Sequence, residues 1–205
     1  MPGLPPIPVN AWRWGVLASG RGSNAQALFR AIQSQTVPGH AINALATNNP
    51  QANVVDWANE VALPVAIMPN VNYETRQAQE TAYINFFNEY GVNGVLLAGY
   101  TRIVSASFLS AFEGRVLNIH PSLLPRHGGV GMVGRAVHQS VLASGDKESG
   151  CTVHWVTDGV DEGPVLWQER VGVAADDTVE TLAARVLAAE HRAFAQALRQ
   201  LPIPH

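Results

Sequence analysis

Cysteine and charge are the two properties that this 205-residue sequence has least of. Cys151 is the only cysteine, which excludes a disulfide within the chain and is typical of a reducing compartment. Charged residues make up 14% and the formal net charge is -3, so no basic field is available for a nucleic acid. No apolar run approaches the ~18 residues of a membrane span. These absences predict a cytoplasmic protein that binds neither nucleic acid nor membranes.

The amino-terminal segment also lacks the features of a secretory signal, because it has neither a basic region nor an apolar one. Four prolines lie among the first eight residues and predict an extended arm over residues 1–13. The remaining residues, 14–205, have the length of one domain. Because 47% of the sequence is hydrophobic, this domain is expected to enclose a well-filled core.

Short apolar runs alternate with helical patterns along most of this domain. The runs predict strands at residues 14–18, 41–46, 64–68, 95–98, 151–156 and 165–171. The helical patterns lie at residues 54–62, 74–90 and 178–201. This alternation predicts an α/β fold, a Rossmann-like, doubly wound, mostly parallel sheet in a single domain. The short link between the last two runs predicts an antiparallel strand pair in the carboxyl-terminal part.

A turn with the sequence SGRGSN, residues 19–24, follows the first predicted strand. Gly20 and Gly22 can adopt backbone angles closed to other residues, and Ser23 or Asn24 can cap the helix that follows. Free amides at a helix start favour an anion, most often phosphate. The third glycine of a dinucleotide fingerprint and the lysine of a Walker motif are both absent. Two interpretations therefore stay open, a phosphate site and a simple tight turn.

The stretch VLNIHPSLLP, residues 116–125, places polar side chains at the end of a buried strand. Asn118 and His120 are two residues apart, so they project from one face at the carboxyl end, where open α/β sheets bind ligands. A carboxamide and a chargeable imidazole are suited to stabilise an oxygen that becomes negative. The alternative is structural, with Asn118 capping a turn and His120 satisfied at the strand end.

Three acids lie in the segment TDGVDEGP, residues 157–164, between the last two predicted strands. A carboxylate close to His120 would favour the charged imidazolium and can also collect a proton. Asp161 is the preferred candidate, because the glycine and proline that follow it fix the turn. Asp158 remains an alternative, as does a solvated hairpin turn without a catalytic acid.

The segment RHGGVGMVGR, residues 126–135, is rich in glycine and predicts a mobile loop. His127 and His138 lie within and just after this segment. Neither a pair of thiolates nor a helical pair of histidines accompanies them, so the sequence predicts no metal site.

With these motifs placed, the sequence closely resembles the phosphoribosylglycinamide formyltransferases of purine synthesis. The resemblance runs from about Trp14 to the final helix, and its motifs are SGRGSNAQAL (residues 19–28), LAGYTRIVS (97–105), NIHPSLLP (118–125) and TVHWVTDGVDEGPV (152–165). It implies formyl transfer from 10-formyltetrahydrofolate, as co-substrate and without a metal, to the amine of glycinamide ribonucleotide in the synthesis of IMP. The partners are then small molecules, and the protein is a monomer or a homodimer.

The resemblance also implies roles for individual residues. The catalytic residues would be Asn118, His120 and Asp161. The ribonucleotide phosphate and ribose would be bound by Gly22, Ser23, Asn24 and Glu190. The folate would be bound by Arg76, Thr101, Arg102, Ile103, Val104 and Asn118. Leu187 departs from the pattern, because some relatives carry a lysine there, so phosphate binding is expected to depend more strongly on the glycine turn.

Three other functions are weighed against this one. A methionyl-tRNA formyltransferase is expected to carry a further RNA-binding domain and a basic surface. A formyltetrahydrofolate hydrolase, which uses water as the acceptor, is expected to carry a regulatory domain ahead of Trp14. A non-catalytic nucleotide-binding module would bind a phosphate ligand but no folate.

Overall fold

Strands and helices alternate along residues 10–204, the part of the chain that the computed structural model describes. The strands are Trp12–Leu17 (β1), His40–Thr47 (β2), Val65–Ile67 (β3), Gly94–Leu97 (β4), Val116–His120 (β5), Glu148–Trp155 (β6) and Val165–Gly172 (β7). The helices are Ser23–Gln33 (α1), Val54–Glu60 (α2), Arg76–Glu89 (α3), Ala106–Ala111 (α4), Arg135–Ser144 (α5) and Val179–Arg199 (α6), and a 3-10 turn spans Asn70–Asn72. Residues 1–9, which hold most of the predicted proline-rich arm, lie outside the described residues.

The strands form one seven-stranded sheet in the order β3-β2-β1-β4-β5-β6-β7. Neighbours from β3 to β5 run parallel, whereas β6 is antiparallel to β5 and β7 is antiparallel to β6. The predicted doubly wound, mostly parallel sheet with an antiparallel carboxyl-terminal pair is therefore confirmed. Because the chain moves outward from β1 to β3 and then returns to β4 beside β1, the strand order reverses between β1 and β4. Such a switch point opens a crevice at the carboxyl ends of the strands.

Apolar side chains fill both faces of the sheet. One face is covered by α1, α2, α5 and α6, with Leu28 and Phe194 fully buried among strand residues such as Leu117. The other face is covered by α3 and α4, which contribute Phe87 and Phe108. Burial on both faces explains why β4 reads as a continuous apolar run, as parallel strands do. No helix among the described residues is long and apolar enough to cross a membrane.

Several local predictions were wrong in detail. The first strand begins at Trp12, so the end of the predicted arm belongs to the sheet. Neither Ser23 nor Asn24 caps α1, because the cap position is occupied by Gly22 with φ +68° and no side-chain hydrogen bond. A Cβ atom at Gly22 would lie 2.1 Å from Val54 Cγ2, so only glycine fits this turn. The short helix α4, which Ser105 caps through Phe108 N–H, was not predicted at all.

Candidate active site

A cavity of about 630 Å³ lies at the edge of the sheet where β1, β4 and β5 end. Its wall includes Gly22 from the turn after β1, Thr101 from the loop after β4 and His120 from the end of β5. The carboxyl ends of β1, β4 and β5 thus bring these three residues to one rim of the sheet. The volume is within the range of about 300–1,000 Å³ that is usual for small-molecule sites.

Asn118, His120 and Asp161 all line this cavity. The first two project from the same face of β5, and Asp161 reaches them from the turn between β6 and β7. His120 Nδ1 lies 3.4 Å from Asp161 Oδ2, and both side chains are largely buried, with 5% and 11% of their surface exposed. Asp158 is exposed and does not line the cavity. Of the two acids left open by the sequence, only Asp161 therefore faces the histidine.

Asp161 and the histidine ring are held by backbone groups of the glycine-rich segment. His120 Nε2 lies 2.9 Å from the carbonyl oxygen of His127, and because a carbonyl can only accept, this nitrogen carries a hydrogen. Asp161 Oδ2 accepts a hydrogen bond of 3.0 Å from Gly129 N–H. The imidazole of His120 thus lies between a carbonyl and a carboxylate. Asp161 itself has φ +60°, a conformation that few residues other than glycine adopt.

His154, on β6, also belongs to this cluster, although no motif of the sequence pointed to it. Its Nδ1–H donates to the carbonyl oxygen of Trp155 at 3.0 Å, which leaves Nε2 to accept from Asn118 Nδ2 at 3.1 Å. His154 Nε2 also lies 3.6 Å from Asp161 Oδ1. Burial lowers the pKa of His154, so the neutral form accepts this hydrogen bond and fixes the orientation of the Asn118 carboxamide.

The antiparallel register explains how His154 reaches the site. Asn118 pairs directly with His154 and His120 pairs with Thr152 across the β5–β6 ladder. The alternation in TVHW was visible in the sequence. The contact between His154 and Asn118 could not be predicted from the sequence. It depends on the register of β5 and β6, and these two residues are 36 positions apart.

The glycine turn and α6 form a second part of the cavity wall, which contains Gly22, Ser23, Asn24 and Glu190. Asn24 Nδ2 donates to Glu190 Oε2 at 2.6 Å, and both residues are buried. Burial raises the pKa of Glu190 to about 7, and the hydrogen bond from Asn24 opposes that rise only in part. Asn24 Oδ1 has no hydrogen-bond partner among residues 10–204. Leu187 lines the same wall, so α6 presents an apolar side chain there.

The residues predicted for the folate side divide into two groups. Thr101, Arg102, Ile103 and Val104 line the cavity, as does Asn118. Arg76 does not line it, because its Nε donates to Glu80 one helical turn away, at 3.0 Å. Glu80 is buried and also accepts from Ser105 N–H, which holds the ion pair on α3. The structure therefore does not bring Arg76 to the site predicted for it.

The histidines considered as metal ligands are also separated. His138 lines the cavity, whereas His127 faces away from it toward Asp146. Within residues 10–204, no group of three or more His, Cys, Asp or Glu side chains is arranged to hold a metal ion.

A family model described as formyl transferase matches residues 13–198, which is most of the chain. The chain belongs to the formyl transferase family. Two of the solved structures that are similar to this chain align with nearly all of it. Glycinamide ribonucleotide transformylase 1 from Symbiobacterium toebii is 38% identical, with a TM-score of 0.87 over 97% of this chain and 92% of that one. Phosphoribosylglycinamide formyltransferase from Brucella melitensis is 37% identical, with a TM-score of 0.85 over 95% and 100%.

Longer proteins contain the same formyl transferase segment. The trifunctional purine biosynthetic protein adenosine-3 of Chironomus tentans is 40% identical over 189 residues, which cover 91% of this chain and 13% of that protein. The chloroplastic phosphoribosylglycinamide formyltransferase of Vigna unguiculata is 35% identical over 195 residues, or 95% of this chain and 62% of that one. The chain thus spans less than two thirds of the length of these curated relatives. A formyltetrahydrofolate deformylase from Pseudomonas syringae, at 22% identity and a TM-score of 0.82, shares the fold.

Proposed function

We propose that this formyl transferase moves the formyl group of 10-formyltetrahydrofolate to the amine of glycinamide ribonucleotide, a step of purine biosynthesis. The observation that carries the proposal is the convergence of Asn118, His120 and Asp161 in one cavity whose wall also includes the glycine turn. One region is suited to a reacting carbonyl and the other to a phosphate. The names of the relatives described above support the choice of acceptor.

The glycine turn would bind the ribonucleotide. Amides at the start of α1 attract the phosphate, because they have no partner within the helix and lie at the positive end of its dipole. Glu190, with a pKa of about 7 and a neighbouring Asn24 amide, can accept or donate hydrogen bonds to the ribose hydroxyls. Because Leu187 supplies no charge, the phosphate depends on the turn.

Another part of the cavity wall would bind the folate. Its lining comes from the run 101–104 after β4 and from residues 129–134 of the glycine-rich segment. Apolar side chains are exposed there at Ile103, Val130 and Val133. Apolar walls with a few polar groups are typical of sites for flat heterocycles. Asn118 lines the same cavity, so a folate bound there would bring its formyl group to the catalytic residues.

The chemistry follows from the orientation of the side chains. The amine nitrogen attacks the formyl carbon, and the carbonyl oxygen becomes negative in a tetrahedral intermediate. Asn118 Nδ2 donates one hydrogen to that oxygen while its other hydrogen is bound to His154. The charge of the His120 imidazolium stabilises the same oxygen, and its Nδ1–H is available because the 3.4 Å distance to Asp161 exceeds a close hydrogen bond.

Asp161 would complete the transfer. Its carboxylate accepts a proton from the attacking nitrogen, directly or through water, and returns a proton to the departing folate nitrogen. The bond between the formyl carbon and that nitrogen then breaks as the oxygen regains its double bond. The products are the formylated ribonucleotide and tetrahydrofolate, and no covalent enzyme intermediate is formed.

The test is the turnover of 10-formyltetrahydrofolate with and without glycinamide ribonucleotide. Turnover that requires the ribonucleotide supports the transferase. Turnover that is equally fast without it would identify the hydrolase and contradict the proposal. Binding of the ribonucleotide without any folate turnover or folate binding would identify the non-catalytic module.

The proposal includes a cytoplasmic location and a monomer or homodimer. The location is supported by Cys151, the single cysteine of the sequence, because a chain without disulfides is typical of a reducing compartment. Light scattering coupled to gel filtration measures the mass in solution, and a mass above that of two chains would contradict the assembly.

A further inference from the structure

The side chain of His127 forms two hydrogen bonds outside the catalytic cavity. Its Nε2–H donates to Asp146 Oδ2 at 2.9 Å and its Nδ1 lies 2.8 Å from Ser140 Oγ on α5. Only about a tenth of each of the His127 and Asp146 side chains is exposed. His127 also adopts φ +54°, so the backbone there is held in a conformation that costs free energy for a residue with a side chain.

The backbone of the same residue reaches into the catalytic cluster. The carbonyl oxygen of His127 accepts from His120 Nε2–H at 2.9 Å, and Ser122 Oγ donates to the preceding carbonyl, that of Arg126, at 2.6 Å. Two residues further on, Gly129 N–H holds Asp161. A shift of this short segment would therefore move both the imidazole and the carboxylate.

Asp146 is suited to anchor the segment. Its other carboxylate oxygen accepts from Arg126, so one acid holds two consecutive residues. The hydrogen bond from His127 is the main reason why the pKa of Asp146 lies below its ordinary value, which keeps the carboxylate charged near neutral pH. The Ser140 hydroxyl can donate or accept, so it stays paired with His127 Nδ1 whether or not that nitrogen carries a hydrogen.

We propose that His127 is a positioning residue for His120, and that Asp146 and Ser140 fix it so that its carbonyl holds Nε2–H and turns Nδ1 toward Asp161 and the reacting oxygen. The proposal rests on the formyl transfer described above, since it concerns the histidine of that reaction. The position of the imidazole is then set by a polar cluster outside the cavity as well as by the strand that carries it.

Asp146→Ala tests this most sharply, with Asp146→Asn as the conservative variant that keeps an accepting oxygen. We expect kcat to fall about 10- to 100-fold in Asp146→Ala, since a misplacement of ~1 Å costs about 100-fold, while both KM values stay near those of wild type. Asp146→Asn should recover most of the activity. The matched control is Glu148→Ala, two residues from Asp146 in the sequence. It breaks an exposed ion pair with Arg170 and should keep full activity.

A readout without turnover separates this proposal from the proposed function. In ¹⁵N-labelled protein, the ring nitrogens of His120, assigned by their loss in His120→Ala, should show a protonated Nε2 in wild type and in Glu148→Ala. The signals should change in Asp146→Ala and, to a smaller extent, in Ser140→Ala, which serves if the first variant does not fold. Unchanged signals, an unchanged kcat in Asp146→Ala, or an Asp146→Asn no better than Asp146→Ala would overturn the proposal. If wild type transfers no formyl group, the proposed function fails while the ring signals still decide the positioning role.

Discussion

Two regions of the cavity wall differ in the kind of group they present. The glycine-turn region, Gly20 to Asn24 with Glu190, presents backbone amides and a neutralisable carboxyl group. The histidine cluster, Asn118, His120, His154 and Asp161, presents side chains that contact one another, through the hydrogen bond between Asn118 and His154 and the approach of both histidines to Asp161. The first region is suited to bind the phosphate and ribose of a substrate. The second is suited to stabilise the negative charge that develops on the reacting oxygen. Binding and chemistry are thus assigned to separable parts of one cavity.

The largest expected effect is on the histidine cluster. His120→Ala should lower kcat by about 10²- to 10³-fold, because a preorganised group that stabilises a developing oxyanion contributes about 3–4 kcal/mol. Asp161→Asn should lower kcat by a similar factor, since general acid–base catalysis contributes about 10²- to 10⁴-fold. Steady-state kinetics of formyl transfer measures this. Asp158→Asn, on the same turn but outside the cavity wall, is the control. A near-normal kcat in either cluster variant, or an equal loss in Asp158→Asn, would refute the assignment.

A buried histidine in the other half of the sheet should act on stability instead of catalysis. His40, on β2, accepts from Trp14 Nε1 at 3.0 Å, and burial lowers its pKa to about 4. The unfolded chain takes up this proton at higher pH, near the ordinary value of 6.5, so folding loses free energy as the pH falls from 6.5 to 4. The loss reaches about 3 kcal/mol for this group.

Denaturant unfolding of wild type and His40→Gln across this pH range checks the prediction. The difference between their free energies of unfolding should be constant above pH 7. Between pH 6.5 and 4 this difference should change with pH, because wild type loses more stability than His40→Gln as the pH falls. Parallel pH profiles over the whole range would show that His40 is not kept neutral by the fold.

The glycine-turn region should affect substrate binding. In Asn24→Ala, Glu190 loses its hydrogen-bond partner and the turn loses an amide, so KM for the ribonucleotide should rise about 10- to 100-fold, as for other hydrogen bonds to a carboxyl group. KM for the folate is the internal control and should stay unchanged. A rise confined to the folate KM would reverse the placement of the two substrates.

The smallest effect is expected from adding a charge to the apolar part of this wall. Leu187→Lys should lower KM for the ribonucleotide by up to about 5-fold, since a partly exposed ion pair is worth about 1 kcal/mol. Ala188→Lys places the same charge one residue further along α6, at an exposed position outside the cavity wall. Equal effects of the two variants would mean that the gain comes from general attraction and not from the site.

The same two regions differ in how far the sequence could predict them. The glycine turn is a local feature, since a strand, two glycines and a helix lie within about twenty residues, and it was found where expected. Asn118 and His120 were predictable as a pair because alternation along one strand places them on one face. His154 and His127 were not, because one depends on strand register and the other on the path of an irregular loop.

The remaining errors have similar causes. The fold could be predicted from the alternation of strands and helices, but α4 has only six residues and too short a pattern to be recognised. Arg76 has a long side chain with several partners in reach, and the choice of Glu80 depends on Ser105 from another element. Local patterns therefore predicted the elements and the rim, while side-chain partners required the tertiary structure.

The separation of binding from chemistry is tested most directly by calorimetric titration of glycinamide ribonucleotide into His120→Ala and Asn24→Ala. His120→Ala should bind the ribonucleotide with the Kd of wild type despite its loss of turnover, and Asn24→Ala should bind it more weakly. A Kd that rises in His120→Ala as much as in Asn24→Ala would contradict the account.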